Sequence, residues 1–311
     1  MSSAVLSPVL ERDKIVEQVE RRLQEVICVD GPTRMVMNHV FSSQGKMLRA
    51  QLVILTSSLW GTTLFESAVN AAAGVELIHR ASLIHDDIVD EGVLRRGRPA
   101  TYRVFGIKEA VLAGDYLFAL AFSLFAQSSP LVLPIMSRAI GEMSRGEIDE
   151  LIQPGRTIQE YWTYIHRKTA ALLGACCEVG AVLAGHVGHW ADRLREFGEA
   201  VGLAFQLTDD VLDYRGSTEK LGKAVGKDFH LEVWTLPIIL AYERGLIGHD
   251  WHSQGFQRIQ QLLDESGILD EVWRMAEAQM GRARCILAEL PESEARGVLW
   301  EILNAISVRQ S

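Results

Sequence analysis

The chain has 311 residues, 48% of them hydrophobic, with 31 basic and 40 acidic side chains and a formal net charge of −9. That length and apolar content allow a large buried core, while the acidic balance and the lack of a basic stripe exclude a nucleic-acid surface. Four cysteines without metal-ligand spacing, no N-x-S/T sequon, no leader-like N-terminus and no segment expected to span a bilayer lead us to expect a cytoplasmic protein with reduced thiols.

Apolar residues recur with a helical period along almost the whole chain. Residues 10–28 carry Val16, Val19, Leu23 and Val26 at spacings of three and four, with charges between them. Residues 46–59, 65–91 and 106–127 are apolar on most faces, as central helices of a large protein are. Further helices are predicted at 131–153, 157–185, 190–214 and 234–245, and two amphipathic helices at 268–289 and 292–307 close the chain. Prolines fall at helix ends or in connectors, read as 28–33, 92–103, 154–157, 215–231 and 246–254. No run alternates as a strand would, and no low-complexity linker divides the chain. Residues 1–311 are therefore expected to form one all-α domain, a single large bundle of antiparallel helices.

Two short acidic patterns stand out in this apolar background: Asp86-Asp87-Ile88-Val89-Asp90 and Asp209-Asp210-Val211-Leu212-Asp213. On a helix, positions i and i+4 share a face with Cβ atoms about 6 Å apart. Asp86/Asp90 and Asp209/Asp213 thus each form a pair that is costly to bury without a cation. A basic loop follows each pattern, with Arg95, Arg96 and Arg98 after the first and Lys220, Lys223 and Lys227 after the second. Mg²⁺ characteristically takes one or two carboxylates plus phosphate oxygens, and Arg and Lys recognise phosphate. Lys46, Arg49, His79 and Lys168 place further basic groups in apolar helices. Acids and bases interleaved in a helical core point to a metal–diphosphate site, because neither set is readily buried alone.

The string Glu76-Leu-Ile-His79 through Asp86-Asp87-Ile-Val-Asp90-Glu-Gly-Val-Leu-Arg95-Arg96-Gly97 resembles the first aspartate-rich region of the trans-isoprenyl (polyprenyl) diphosphate synthases. Leu112-Ala-Gly-Asp-Tyr-Leu, Lys168-Thr169-Ala170, Phe205-Gln206-Leu-Thr-Asp209-Asp210-Val-Leu-Asp213-Tyr, Gly222-Lys223-Ala-Val-Gly-Lys227-Asp228 and Thr235-Leu-Pro237 follow in that family's order. The resemblance implies a helical bundle around a deep central cavity. It also implies head-to-tail elongation, in which an allylic diphosphate ionises and isopentenyl diphosphate attacks the cation. By the same resemblance Asp86 and Asp90 hold two Mg²⁺ ions and Asp209 a third, with Asp87, Asp210 and Asp213 outside them. Arg95, Lys168 and Lys223 would surround the leaving diphosphate; Lys46, Arg49, His79 and Arg96 would bind isopentenyl diphosphate; Thr169 and Gln206 would face the allylic cation. The implied partners are isopentenyl diphosphate, a geranyl, farnesyl or geranylgeranyl diphosphate primer, and a second copy of the chain, with at most peripheral membrane contact for product release.

One position departs from the family pattern: Val233 stands where a lysine that grips the allylic diphosphate is usual. That keeps open a heteromeric synthase in which this chain is the catalytic subunit beside a heterologous small subunit. A class I terpene cyclase shares the first motif but normally has a wider second one. A di-iron bundle would need a second Glu-x-x-His, and a non-catalytic subunit has no use for buried acids. Ala81 and Ser82, one turn before Asp86, are small where short-chain members of the family carry aromatics, so a product of C25 or longer is expected, with Phe118, Phe122 and Phe125 as candidate floor residues.

Overall fold

The computed structural model describes residues 12–43, 45–61, 65–152, 155–215 and 226–308. Lys220 and Lys223 lie outside them. The described chain is all-α apart from one two-stranded ribbon. Its helices are α1 (Arg12–Val26), α2 (Pro32–Val40), α3 (Leu48–Ser57), α4 (Phe65–Val89), α5 (Thr101–Phe105), α6 (Ile107–Ser128), α7 (Val132–Ile152) and α8 (Ile158–Ile165). A π-helical turn, His166–Ala170, leads into α9 (Ala171–Leu183), followed by α10 (His189–Arg215), α11 (Lys227–His230), α12 (Leu236–Glu243), α13 (Phe256–Glu265), α14 (Ile268–Glu289) and α15 (Glu294–Val308).

The differences from the sequence reading have local causes. Pro32 supplies the preset φ of a first helical turn and opens α2 inside what reads as a connector. The predicted helix 157–185 is interrupted by the π turn at 166–170. Its start carries a Thr157/Glu160 capping box, the T-x-x-E pattern. The connector after the first aspartate motif folds as a minimal hairpin, with β1 (Leu94–Arg95) antiparallel to β2 (Arg98–Pro99). Arg96 and Gly97, both at positive φ (52° and 75°), form its two-residue turn, the geometry whose twist suits a hairpin. Helix α13, which the sequence reading leaves unassigned, is a short amphipathic helix that packs Phe256, Ile259, Leu262 and Leu263 on the core.

The chain sorts into two compact units, each assembled from separated stretches. The first comprises Met1–Ser137, Cys176–Asp192 and Leu290–Leu299. Helix α4 is its centre, packed chiefly on α6 and also on α3 and α1. Small residues allow the helices to approach closely: a Cβ on Gly74 of α4 would fall 2.4 Å from the Phe125 ring of α6, and one on Gly114 of α6 would fall 2.2 Å from His85 of α4. By length and composition α6 alone among the described helices could cross a membrane, with a mean hydropathy of 1.5. Its apolar stretch predicts a buried core helix, yet only 39% of that window is buried.

The second unit comprises Arg138–Ala175, Arg193–Glu289 and Trp300–Ser311. Its core joins Tyr161 and Ile165 of α8, Leu207, Val211 and Tyr214 of α10, Phe229 of α11, and the almost wholly buried α12. Gly198 and Gly202 on α10 lie against the backbone of Leu173 and Ala170, so a Cβ there would meet main-chain atoms at 2.3 and 2.7 Å. Two small positions one turn apart thus set the π turn, and with it Lys168 and Thr169, directly on α10.

Candidate functional site

Both aspartate motifs sit at the C-terminal ends of long helices. In the first unit, the N–H of Asp90 makes a last helical hydrogen bond to the carbonyl of Asp86 at 2.8 Å, which keeps the two on one face. The C-terminus of a helix carries partial negative charge, so acidic side chains gathered there call for an external cation. Asp86 is half-buried, Asp90 exposed and Asp87 buried. Asp87 is committed to the protein: Arg95 donates to it from Nε at 3.0 Å and again from Nη2.

Asp87, Arg95 and Arg96 also line a small cleft of about 60 Å³ together with Gly45, His79 and Arg80. Arg96 lies over Gly45 so closely that a Cβ there would be 2.7 Å from its Nη2. His79 is held well below the ordinary histidine pKa by burial first and then by the positive charges of Arg49, Arg96, Arg80 and Arg95. A neutral imidazole within four guanidinium groups marks a strongly positive pocket suited to a polyanion. Burial lowers the pKa of Arg49 as well, and its buried Nε has no hydrogen-bond partner in the structure. The counter-charge is Glu76, buried, raised above the usual carboxylate range by that burial despite Arg49, and receiving the Ala50 N–H at 3.3 Å. Sequence reasoning treated Glu76 as motif context and missed its role; an acid one helical turn before His79 was the available signal. The Lys46 carbonyl accepts from Gln51 Nε2 at 2.6 Å, which fixes the backbone from which the Lys46 side chain projects.

In the second unit, Asp210 is buried and accepts from Tyr161 OH at 2.6 Å, Gln206 Nε2 at 3.0 Å and, at 3.4 Å, the Leu236 N–H. Burial pushes its pKa up to about 7 against those hydrogen bonds. Thr169 Oγ1 donates to Gln206 Oε1 at 3.1 Å, so Thr169, Gln206, Asp210 and Tyr161 form one chain of hydrogen bonds. Asp213 accepts the backbone N–H groups of Lys227 (3.1 Å) and Asp228 (2.9 Å), capping the start of α11. Asp209 is half-buried between these committed acids. Asp228 is a further carboxylate beside them, pushed up to about 6 by burial and by the charges of Asp213 and Asp209. Neither Tyr161 nor Asp228 was singled out from sequence. Asp228 lies in a motif already recognised, whereas nothing local marks Tyr161.

Lys168 is not directed at an open position: its Nζ bridges Glu147 at 2.8 Å and Glu150 at 3.1 Å. Burial lowers its pKa, but Tyr164, Glu150 and Glu147 outweigh that and hold it above the ordinary lysine value. The predicted residues thus fall into two sets. Lys46, Arg49, His79, Asp86, Asp87, Asp90, Arg95 and Arg96 belong to the first unit, and Lys168, Thr169, Gln206, Asp209, Asp210 and Asp213 to the second. Among the described residues no three His, Cys, Asp or Glu side chains converge as a ready-made metal cage. Paired, all-oxygen, hard donors at helix ends, to be completed by anion oxygens and water, fit Mg²⁺.

The polyprenyl synthetase family profile matches residues 32–257. The chain is 33% identical over 306 residues to heptaprenyl diphosphate synthase component 2 of Geobacillus stearothermophilus, covering 95% of this chain and 94% of that protein. It is 36% identical over 277 residues to an all-trans-nonaprenyl-diphosphate synthase of Rhodobacter capsulatus, covering 85% of each. Among solved structures, a polyprenyl synthase from Caulobacter crescentus CB15 complexed with calcium and isoprenyl diphosphate superposes with a TM-score of 0.86 at 33% identity, covering 96% of this chain and 98% of that one.

Proposed function

We propose a division of labour among these residues from the premise that the chain belongs to the polyprenyl synthetase family and is a prenyl transferase that elongates isoprenyl diphosphates. Asp86, Asp90 and Asp209 would hold Mg²⁺, three ions in all with the allylic diphosphate, and the metal when bound supplies positive charge to the leaving group. Asp87, Asp210 and Asp213 orient these ligands from behind, each tied to donors of the protein. Lys46, Arg49, His79 and Arg96 bind isopentenyl diphosphate, and Arg95, Lys168 and Lys223 the allylic diphosphate. Thr169 and Gln206 direct oxygen dipoles toward the developing cation. For Lys168 this requires release from Glu147 and Glu150, with which an arriving diphosphate would compete for the ammonium.

The observation that carries this reading is the pair of aspartate sets at two helix C-termini, each with its buried middle acid, Asp87 or Asp210, locked to the protein. All of residues 1–311 are read as one domain, since neither compact unit is a continuous segment. The product is C25 or longer: Ala81 and Ser82, one turn before Asp86, are small and put no aromatic on that face of α4. The partly exposed apolar face of α6, with Val111, Leu112 and Phe122 38%, 67% and 41% accessible, supports a homodimer in which a second copy covers it. Free Cys28, Cys176, Cys177 and Cys285 agree with a cytoplasmic setting. A second reading, the catalytic subunit of a two-protein synthase, is favoured by Val233 and by likeness to a protein named as a component. Incubating the purified chain with Mg²⁺, isopentenyl diphosphate and farnesyl diphosphate, then identifying products by mass spectrometry, tests activity, product length and subunit requirement together. A ladder ending at C25 or beyond supports the first reading. Activity only after addition of a small subunit supports the second, and cyclic hydrocarbons would defeat both.

A further inference from the structure

Arg80 lies within the first aspartate-rich string but was given no role there, yet it lines the same cleft and is only 9% exposed. Its Nη1 donates to the carbonyl of Val40 at 3.1 Å and to that of Ser43 at 3.3 Å. Val40 is the last residue of α2, so the guanidinium donates to a carbonyl of the terminal turn and sets a positive charge where the helix dipole is negative. The same group lies 4.5 Å from the centroid of the Phe41 ring, a cation–π contact. Glu76, one turn earlier on α4, supplies an opposing charge. These contacts clamp the start of the loop between α2 and α3, whose far end carries Lys46 and is held by Gln51 and by the packing of Gly45 on Arg96.

We infer that Arg80 is a positioning residue for isopentenyl diphosphate: by capping α2 it fixes the loop that presents Lys46, without itself gripping the substrate. The inference depends on the assignment of Lys46, Arg49, His79 and Arg96 to that diphosphate, and its test separates the two. Steady-state kinetics of the full chain should show Arg80→Met raising the KM for isopentenyl diphosphate about tenfold, the loss expected for one charge-assisted anchor. The KM for the allylic primer and kcat should stay within about twofold. Arg80→Lys, which keeps charge but not the planar fork, should recover part of the loss. Phe41→Leu, which leaves the arginine in place, should move the same KM in the same direction by about threefold. Arg49→Gln measured alongside tests the underlying assignment. If Arg49→Gln raises the KM while Arg80→Met and Phe41→Leu do not, the positioning role is wrong and the site stands. If none changes it, the site assignment itself fails. A fall in kcat and in affinity for both substrates together would make Arg80 merely structural and overturn the inference.

Discussion

Tyr161→Phe deletes one oxygen atom, and the structure states what that atom does. Its hydroxyl donates at 2.6 Å to Asp210 Oδ2 inside the core of the second unit, where burial and the Asp210 charge keep the phenol protonated. A hydrogen bond to a charged group contributes about 1.5–3 kcal/mol and a neutral one about 0.5–1.5 kcal/mol. The substitution should therefore cost about 2–3 kcal/mol while Asp210 is ionised and about 1 kcal/mol once it is protonated. The difference corresponds to a rise of about one unit in the Asp210 pKa, each unit being about 1.4 kcal/mol. The folded pKa of Asp210, about 7, already lies above its ordinary value of 3.8. The unfolded chain thus binds fewer protons between those values, and the native contribution falls as pH rises through that window. In Tyr161→Phe the fall should continue to about pH 8. Urea unfolding of both proteins at fixed concentration without Mg²⁺, at about pH 5.5 and 9, measures it. A penalty equal at both pH values, or no coupling in a double-mutant cycle with Asp210→Asn, would refute the reasoning.

Other perturbations have equally definite expectations. Asp86→Asn, Asp90→Asn and Asp209→Asn should each lower kcat at least about 10²-fold and diminish the thermal stabilisation conferred by Mg²⁺ with inorganic diphosphate, read by calorimetry. Phe125→Ala, which empties the space against Gly74, should cost about 3–5 kcal/mol in unfolding experiments and lengthen the product, whereas Ala81→Phe should shorten it, both read by mass spectrometry. Val233→Lys should lower the KM for the allylic primer in steady-state assays with Mg²⁺. His166 is raised above the usual histidine value by its hydrogen bond to Glu199, so its contribution is complete below about pH 6.5 and is lost as pH rises through the folded pKa. His166→Gln should remove that dependence, an effect below about 1 kcal/mol at this partly exposed pair, seen in urea titrations across pH.

Much of the fold was legible because helices are written locally. Predicted helices 65–91, 106–127, 131–153, 190–214 and 268–289 agree with α4, α6, α7, α10 and α14 to within a few residues. The short elements α2, α5 and α13 and the hairpin of Leu94–Arg95 with Arg98–Pro99 were not: α5 and the hairpin are too short to show a period, and α2 and α13 are amphipathic but only 9 and 10 residues long. The candidate site divides the same way. Its acids and bases were named from residue type and spacing, but the partners that restrain them were not.

What the sequence determined alone is which side chains share a face: residues four apart on a helix lie together because 3.6 residues complete a turn. Only tertiary structure decided which acids are already spoken for. Tyr161 reaches Asp210 across 49 positions, and Arg80 caps α2 across 40. Such pairs depend on how helices pack, through contacts like those of Gly198 and Gly202 with Leu173 and Ala170. Packing is a property of whole surfaces, which spacing along one helix does not encode.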